Sequence, residues 1–313
     1  MKTLLGYFKR WFNQDFQWGP HVATLLLLIP LITLNYSIDL ERSYLNTHVG
    51  EWQGWLYFFS FYGGIYYAVT LLQSLWSPGK VWRQPMFWVK SAAFLAILAL
   101  NAAADFHYSW LYGLEAISPQ VRTWLFYVVV NAGSFFNFAL PLYLTWWLWD
   151  RNRQEGWYGL QRKKFLVGPY LLLLAAMLPF IIWASFQPDF QATYPIYVSN
   201  AATGEATGLG QWGNTLLFQL AYGLDFLTVE LLFRGALIIG MTRLMGKEAL
   251  LPMVAVYCAL HFGKPVGEAI SSIFGGYILG VIALYGRHIW GGVIIHVGIA
   301  LSMEWAAIWQ ALR

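Results

Sequence analysis

Charge is what this sequence has least of: Asp, Glu, Lys and Arg together make up 11% of its 313 residues, where a soluble domain carries about a quarter. That shortage excludes a solvated globular surface over most of the chain. Cysteine is nearly absent too, and the lone Cys258 excludes an intrachain disulfide and any multi-cysteine metal cage. No HExxH spacing occurs, so the familiar helical zinc pattern is excluded. The first and second parts of the chain share no internal repeat, which leaves a transporter built from inverted halves without support. The formal net charge of +4 is scattered between hydrophobic segments. It reports membrane topology and no nucleic-acid partner.

What the chain has is apolar length. It is 58% hydrophobic and 19% aromatic, with a mean hydropathy of +0.50. Its apolar runs are continuous rather than alternating, so they read as helices and not as barrel strands. The expected fold is all-α: a polytopic integral membrane helical bundle. About nine spans are expected, near 21–38, 54–76, 86–104, 122–149, 165–187, 214–243, 249–263, 266–286 and 289–310. The apolar run from Val22 to Leu34 lies too far in, holds Pro30 and lacks a small-x-small exit, so it reads as a retained first span. The stretch before it mixes aromatics with Lys9 and Arg10 and is expected to lie in the membrane interface.

Lys and Arg cluster in alternate connections. Lys2, Lys9 and Arg10 precede the first span, Lys80 and Arg83 follow the second, and Arg151, Arg153, Arg162, Lys163 and Lys164 follow the fourth. Arg243, Lys247 and Arg287 continue the pattern, with Lys264 its one awkward member. By the positive-inside rule the N-terminus is cytoplasmic and the C-terminus extracytoplasmic, as in a bacterial inner membrane protein. The longest connection, 188–213, is rich in Gly, Thr, Pro and Asn. It divides an N-terminal membrane region, 1–187, from a second membrane region, 214–313.

Charges inside spans are costly and mark bundle interiors or polar cavities. The strong cases are Asp225, Glu230 and Arg234 on one span, His261, Lys264 and Glu268 around the turn "HFGKPVGE", and His296 on the last span. Each has a bland alternative. Glu230 and Arg234, at i and i+4, make a neutralised helical pair. Lys264 and Glu268 make an interfacial cap, His296 a satisfied core histidine, and Glu304 an outer-interface charge. Lys90 is expected to snorkel to the nearby cytoplasmic face. Gly276 and Gly280 form a GxxxG suited to packing within the bundle. Three separated polar spots converging on one cavity is the sharper reading.

Three blocks carry a resemblance. "VELLFRG" (Val229 to Gly235), "YCALHFG" (Tyr257 to Gly263) and "HVGIA" (His296 to Ala300), with the glycine-rich "GGYILGVIALYGRHIWGG" between the last two, resemble the CAAX-processing and bacteriocin-processing (CPBP, Abi) intramembrane proteases. The likeness spans about residues 212–305. It implies an intramembrane endopeptidase acting on a membrane-anchored or C-terminal-tail peptide in the bilayer. It also implies that His261 and His296 bind the water, the substrate carbonyl or the developing oxyanion, with Arg234 paired to Glu230. The family's first glutamate is here Val229, and its asparagine is Ala300. The base is therefore sought in Glu230, Glu268 or Asp225, and a catalytically inactive member that binds a peptide or scaffolds a membrane partner is the competing expectation. Two histidines and a carboxylate are also a chemically reasonable set for a divalent metal such as zinc.

Overall fold

The computed structural model describes residues 2–77, 79–104, 110–111, 113–114, 116–152, 154–161 and 165–313. Arg153, Arg162, Lys163 and Lys164 of the base-rich connection lie outside the described residues. Among those described, every regular element is helical and no strand occurs. The chain is an integral membrane bundle.

Six helices are long and apolar enough to cross a membrane: α2 (Trp18–Ile38), α3 (Trp52–Gln73), α4 (Pro85–Ala103), α5 (Pro119–Trp149), α11 (Val266–Gly286) and α12 (Trp290–Ala311). A short amphipathic helix, α1 (Lys2–Arg10), precedes them and packs against α11. The apolar α6 (Gly168–Ala184) is shorter. Two small helices, α7 (Pro188–Thr193) and α8 (Ala201–Thr207), occupy the long connection. The two remaining expected spans are α9 (Gly210–Glu230), continued by a π-helical segment Leu231–Gly240, and α10 (Leu250–Ala259). All ten residues of α10 are buried, and ten helical residues reach only about 15 Å, half a hydrocarbon core. The ten residues of the π segment that continues α9 are also all buried. These two elements form the interior of the bundle, and the lipid-facing helices surround them.

Packing explains that placement. α10 lies between α3 and α11, α9 packs on α5 and α12, and α12 packs on α6. Close approach depends on glycines that meet large side chains. A side chain at Gly280 would collide with Leu250, and one at Gly276 would lie 2.8 Å from the Tyr257 ring. The GxxxG of α11 thus serves packing inside the bundle.

Lys90 does not snorkel. It is 2% exposed, and its Nζ donates to Asp150 Oδ2 at 2.6 Å and to the Gly240 carbonyl at 2.8 Å. A buried ammonium is tolerable only when its charge is matched and its donors are used; here the α5 end supplies the carboxylate and the π segment supplies the carbonyl.

Candidate functional site

α9 is regular up to Glu230, where the hydrogen-bonding pattern widens to the π form over Leu231–Gly240. Such widenings recur at functional sites. Glu230 is fully enclosed, and its Oε1 lies 2.7 Å from Arg234 Nη1 and 3.0 Å from His296 Nδ1. The Arg234 contact is a charge contact without hydrogen-bond alignment. Its guanidinium also sits 4.3 Å from the centre of the Tyr257 ring, an attraction worth about 2 kcal/mol when desolvated. Glu230 Oε2 abuts Gly292, where any side chain would collide with it.

The network assigns the His296 tautomer. Nδ1–H faces the Glu230 carboxylate, so Nε2 accepts from the Tyr257 hydroxyl at 3.2 Å. The same tyrosine brings in the second histidine. His261, in the turn after α10, has its Nδ1 2.7 Å from the Tyr257 carbonyl and its ring centre 4.7 Å from the Tyr257 ring. A carbonyl accepts only, so His261 Nδ1 carries the proton and Nε2 keeps its lone pair. In this tautomer His261 is an acceptor rather than an oxyanion donor. Tyr257 therefore joins both histidines. Sequence reasoning placed it inside a motif but did not single it out; the aromatic four residues before His261 was the signal.

Glu268, in the first turn of α11, is met from the long connection. The Tyr194 hydroxyl lies 2.9 Å from Glu268 Oε2 and 3.1 Å from Oε1. The Lys264 ammonium lies 5.2 Å from the centre of the Tyr194 ring and acts electrostatically on Glu268, Asp225 and Glu304. Burial, with the Glu268 charge beside it, pushes the Tyr194 hydroxyl well up, so it stays a donor. Glu304 is not an outer-interface charge. It is fully buried, accepting from the Ile196 amide at 2.8 Å and from Gln219 Nε2 at 3.0 Å. It anchors the connection to the bundle at the same end.

Asp225 is half-buried beside the Ser134 and Thr228 hydroxyls, on the side of α9 that meets α5. The two departures from the family pattern lie in apolar packing. Val229 belongs to the main core, and Ala300 packs with Phe218 and Tyr222. Among the described residues no three of His, Cys, Asp and Glu gather closely enough to hold a metal ion. His296 has both nitrogens engaged within the protein. The donor set does not fit a resident zinc, and no step is assigned to one.

Two comparisons return nothing: no curated protein and no solved structure matches the chain. A family model does match, over residues 208–302, and its description is "Type II CAAX prenyl endopeptidase Rce1-like". Those residues hold Asp225, Glu230, Arg234, Tyr257, His261, Glu268 and His296 together. Residues 208–302, less than a third of the chain, are thus similar to the Rce1-like CAAX prenyl endopeptidases of the CPBP family.

Proposed function

We propose that the chain is an intramembrane endopeptidase that cleaves a membrane-anchored or C-terminal-tail peptide, with Glu268 as general base. The observation that carries this is the convergence of His261 and His296 on Tyr257, inside the region that matches an endopeptidase family. Of the three carboxylates weighed, Glu230 is spent on Arg234 and His296, and Asp225 is turned to Ser134 and Thr228. Glu268 is half-buried, and its hydrogen-bond partner is the Tyr194 hydroxyl of the connection.

In the proposed reaction a water donates one hydrogen bond to His261 Nε2 and loses a proton to Glu268 as its oxygen attacks the scissile carbonyl. The Tyr257 hydroxyl turns its one proton from His296 Nε2 to the oxygen on which charge develops. Collapse of the tetrahedral adduct breaks the C–N bond, and Glu268 returns the proton to the leaving amine. Glu230 and Arg234 hold the His296 ring in place.

The chain is proposed to divide into an N-terminal membrane region, 1–187, an extracytoplasmic connection, 188–213, and the peptidase region, 214–313. The proposed setting is a bacterial cytoplasmic membrane, with the N-terminus inside, the C-terminus outside and the site open to the extracytoplasmic face. Charge supports this: Lys9 and Arg10, Arg243 and Lys247, and Arg287 fall in alternate connections, while 188–213 holds Asp189 and Glu205 and no Lys or Arg. Lys264→Cys in a Cys258-free background is expected to label from outside; labelling only from the cytoplasm would overturn the orientation.

The decisive test is cleavage of a membrane-anchored peptide by wild type and by Glu268→Gln, His261→Ala and His296→Ala. Wild type cleaves, and each variant accumulates in the membrane but does not. A Glu268→Gln variant that keeps the wild-type rate removes Glu268 from the role. The second reading, a peptide-binding or scaffolding member without catalysis, is favoured by the apolar burial of Val229 and Ala300 where the family has polar groups. It gains if wild type cleaves nothing while a membrane partner requires it for stability.

A further inference from the structure

We infer that Asn35, Tyr36 and Glu41, at the end of α2 and just after it, are positioning residues for the turn that carries His261. The functional meaning of this inference rests on the peptidase reading above. All three lie far outside residues 208–302, and their contacts fall on four consecutive residues of the turn. Tyr36 Oη lies 2.7 Å from the Lys264 carbonyl and 3.5 Å from that of His261. Asn35 Nδ2 donates to the Phe262 carbonyl at 3.0 Å. The Glu41 carboxyl accepts from the Gly263 amide, so closely that a side chain at Gly263 would lie 2.7 Å from Glu41 Oε1.

The three also brace one another. Asn35 is 1% exposed, and its Oδ1 accepts from the Glu41 amide at 3.2 Å. One buried amide thus ties the Glu41 backbone to the Phe262 carbonyl. The carbonyls after the last turn of a helix have no partner within it, and α2 supplies donors to those of Phe262 and Lys264. His261 Nε2 points where this turn points it, because Nδ1 is pinned to α10.

Glu41 makes the clamp sensitive to pH. Burial pushes its carboxyl up to about 7; Arg42, Lys264 and the Gly263 amide pull the other way, and Asp39 adds to the rise. Tyr36 of α2 and Tyr62 of α3 face it as well. A carboxyl that titrates near 7 when seated and in the ordinary carboxylate range when free is seated most firmly while protonated. As pH rises from the ordinary range to about 7 the seated form loses ground, by up to about tenfold per unit, and the loss levels off above.

Hydrogen–deuterium exchange of the 260–265 segment in the full chain, corrected for intrinsic rates, tests this without needing catalysis. In wild type, protection of the segment should fall as pH rises through that window. Glu41→Gln, which stays neutral, should hold protection level with pH. Tyr36→Phe should lower it about fivefold at every pH, as loss of one hydrogen bond does. A Glu41→Gln variant that follows the wild-type pH course, or a Tyr36→Phe variant with unchanged exchange, overturns the clamp. In the cleavage assay, kcat of wild type should fall over the same window and that of Glu41→Gln should not. Exchange behaving as stated while wild type cleaves nothing would sink the peptidase reading and leave the clamp standing.

Discussion

Glu230 and His296, sixty-six positions apart, meet at 3.0 Å through Oε1 and Nδ1, and the same oxygen faces Arg234. The carboxylate fixes which ring nitrogen carries the proton and balances the guanidinium. Replacing it by an amide leaves an unmatched buried cation. Glu230→Gln is therefore expected to destabilise the protein by about 3–5 kcal/mol, read as a lower unfolding temperature in detergent. Its activity loss then mixes stability with chemistry, and His296→Ala and Glu268→Gln are the cleaner functional probes.

Gly292 gives a test with opposing signs. In an exposed helix interior, Gly→Ala gains about 1 kcal/mol. Here the new methyl would strike a carboxylate held by two partners, and overpacking costs about 1–3 kcal/mol. Gly292→Ala should be net destabilising and should lower activity by displacing Glu230, whereas Gly267→Ala, with open space around it, should do neither. Equal stability of the two variants would refute the close approach.

Tyr194→Phe separates the connection from the bundle chemically. It deletes the hydroxyl at Glu268 and keeps the ring beneath Lys264. A hydrogen bond to a charged group is worth about 1.5–3 kcal/mol, so cleavage should fall by about tenfold or more. If Glu268 is the base, Glu268→Gln falls further, by about a hundredfold or more. Steady-state rates on the anchored peptide decide the order.

The Lys90–Asp150 pair carries no proposed chemistry, and its test is a cycle. Lys90→Met or Asp150→Leu alone leaves a buried charge and should cost about 3–5 kcal/mol, while the double variant should recover most of that loss. Additive single effects, measured by thermal unfolding, would show that the two charges do not depend on each other.

The bundle and most of the site residues were legible in the sequence because both obey local rules. Twenty apolar residues must cross or be buried, and a carboxylate beside an arginine in an apolar run must be paired. Glu230–Arg234 and the turn at Gly263 follow from such rules. What escaped depends on contacts distant in the chain. Lys90 looked near enough to an interface to reach water, and only the fold brings Asp150 to it. Glu304 sits near a span end, and nothing local reveals that Ile196 and Gln219 cover it. Glu230 is one of three candidate bases, and nothing local to it reveals that His296 lies beside its carboxylate. The π widening after Glu230 has no periodicity signature in ten apolar residues. The short α10 was hidden because length alone does not tell a spanning helix from an enclosed one.

The clamp on the His261 turn has a counterpart in how far the matched region reaches. The Phe262 carbonyl is met by Asn35, the Gly240 carbonyl by Lys90, and the Asn214 carbonyl by Trp124 Nε1 at 3.0 Å. Gly235 packs on Tyr158 and Gly291 on Tyr170. A fragment beginning at residue 208 would bare those acceptors and empty those contacts, each lost partner costing about 1–3 kcal/mol. The border of sequence likeness thus cuts through packed contacts, and the stretch that carries the motifs is expected to be less stable alone than in the full chain.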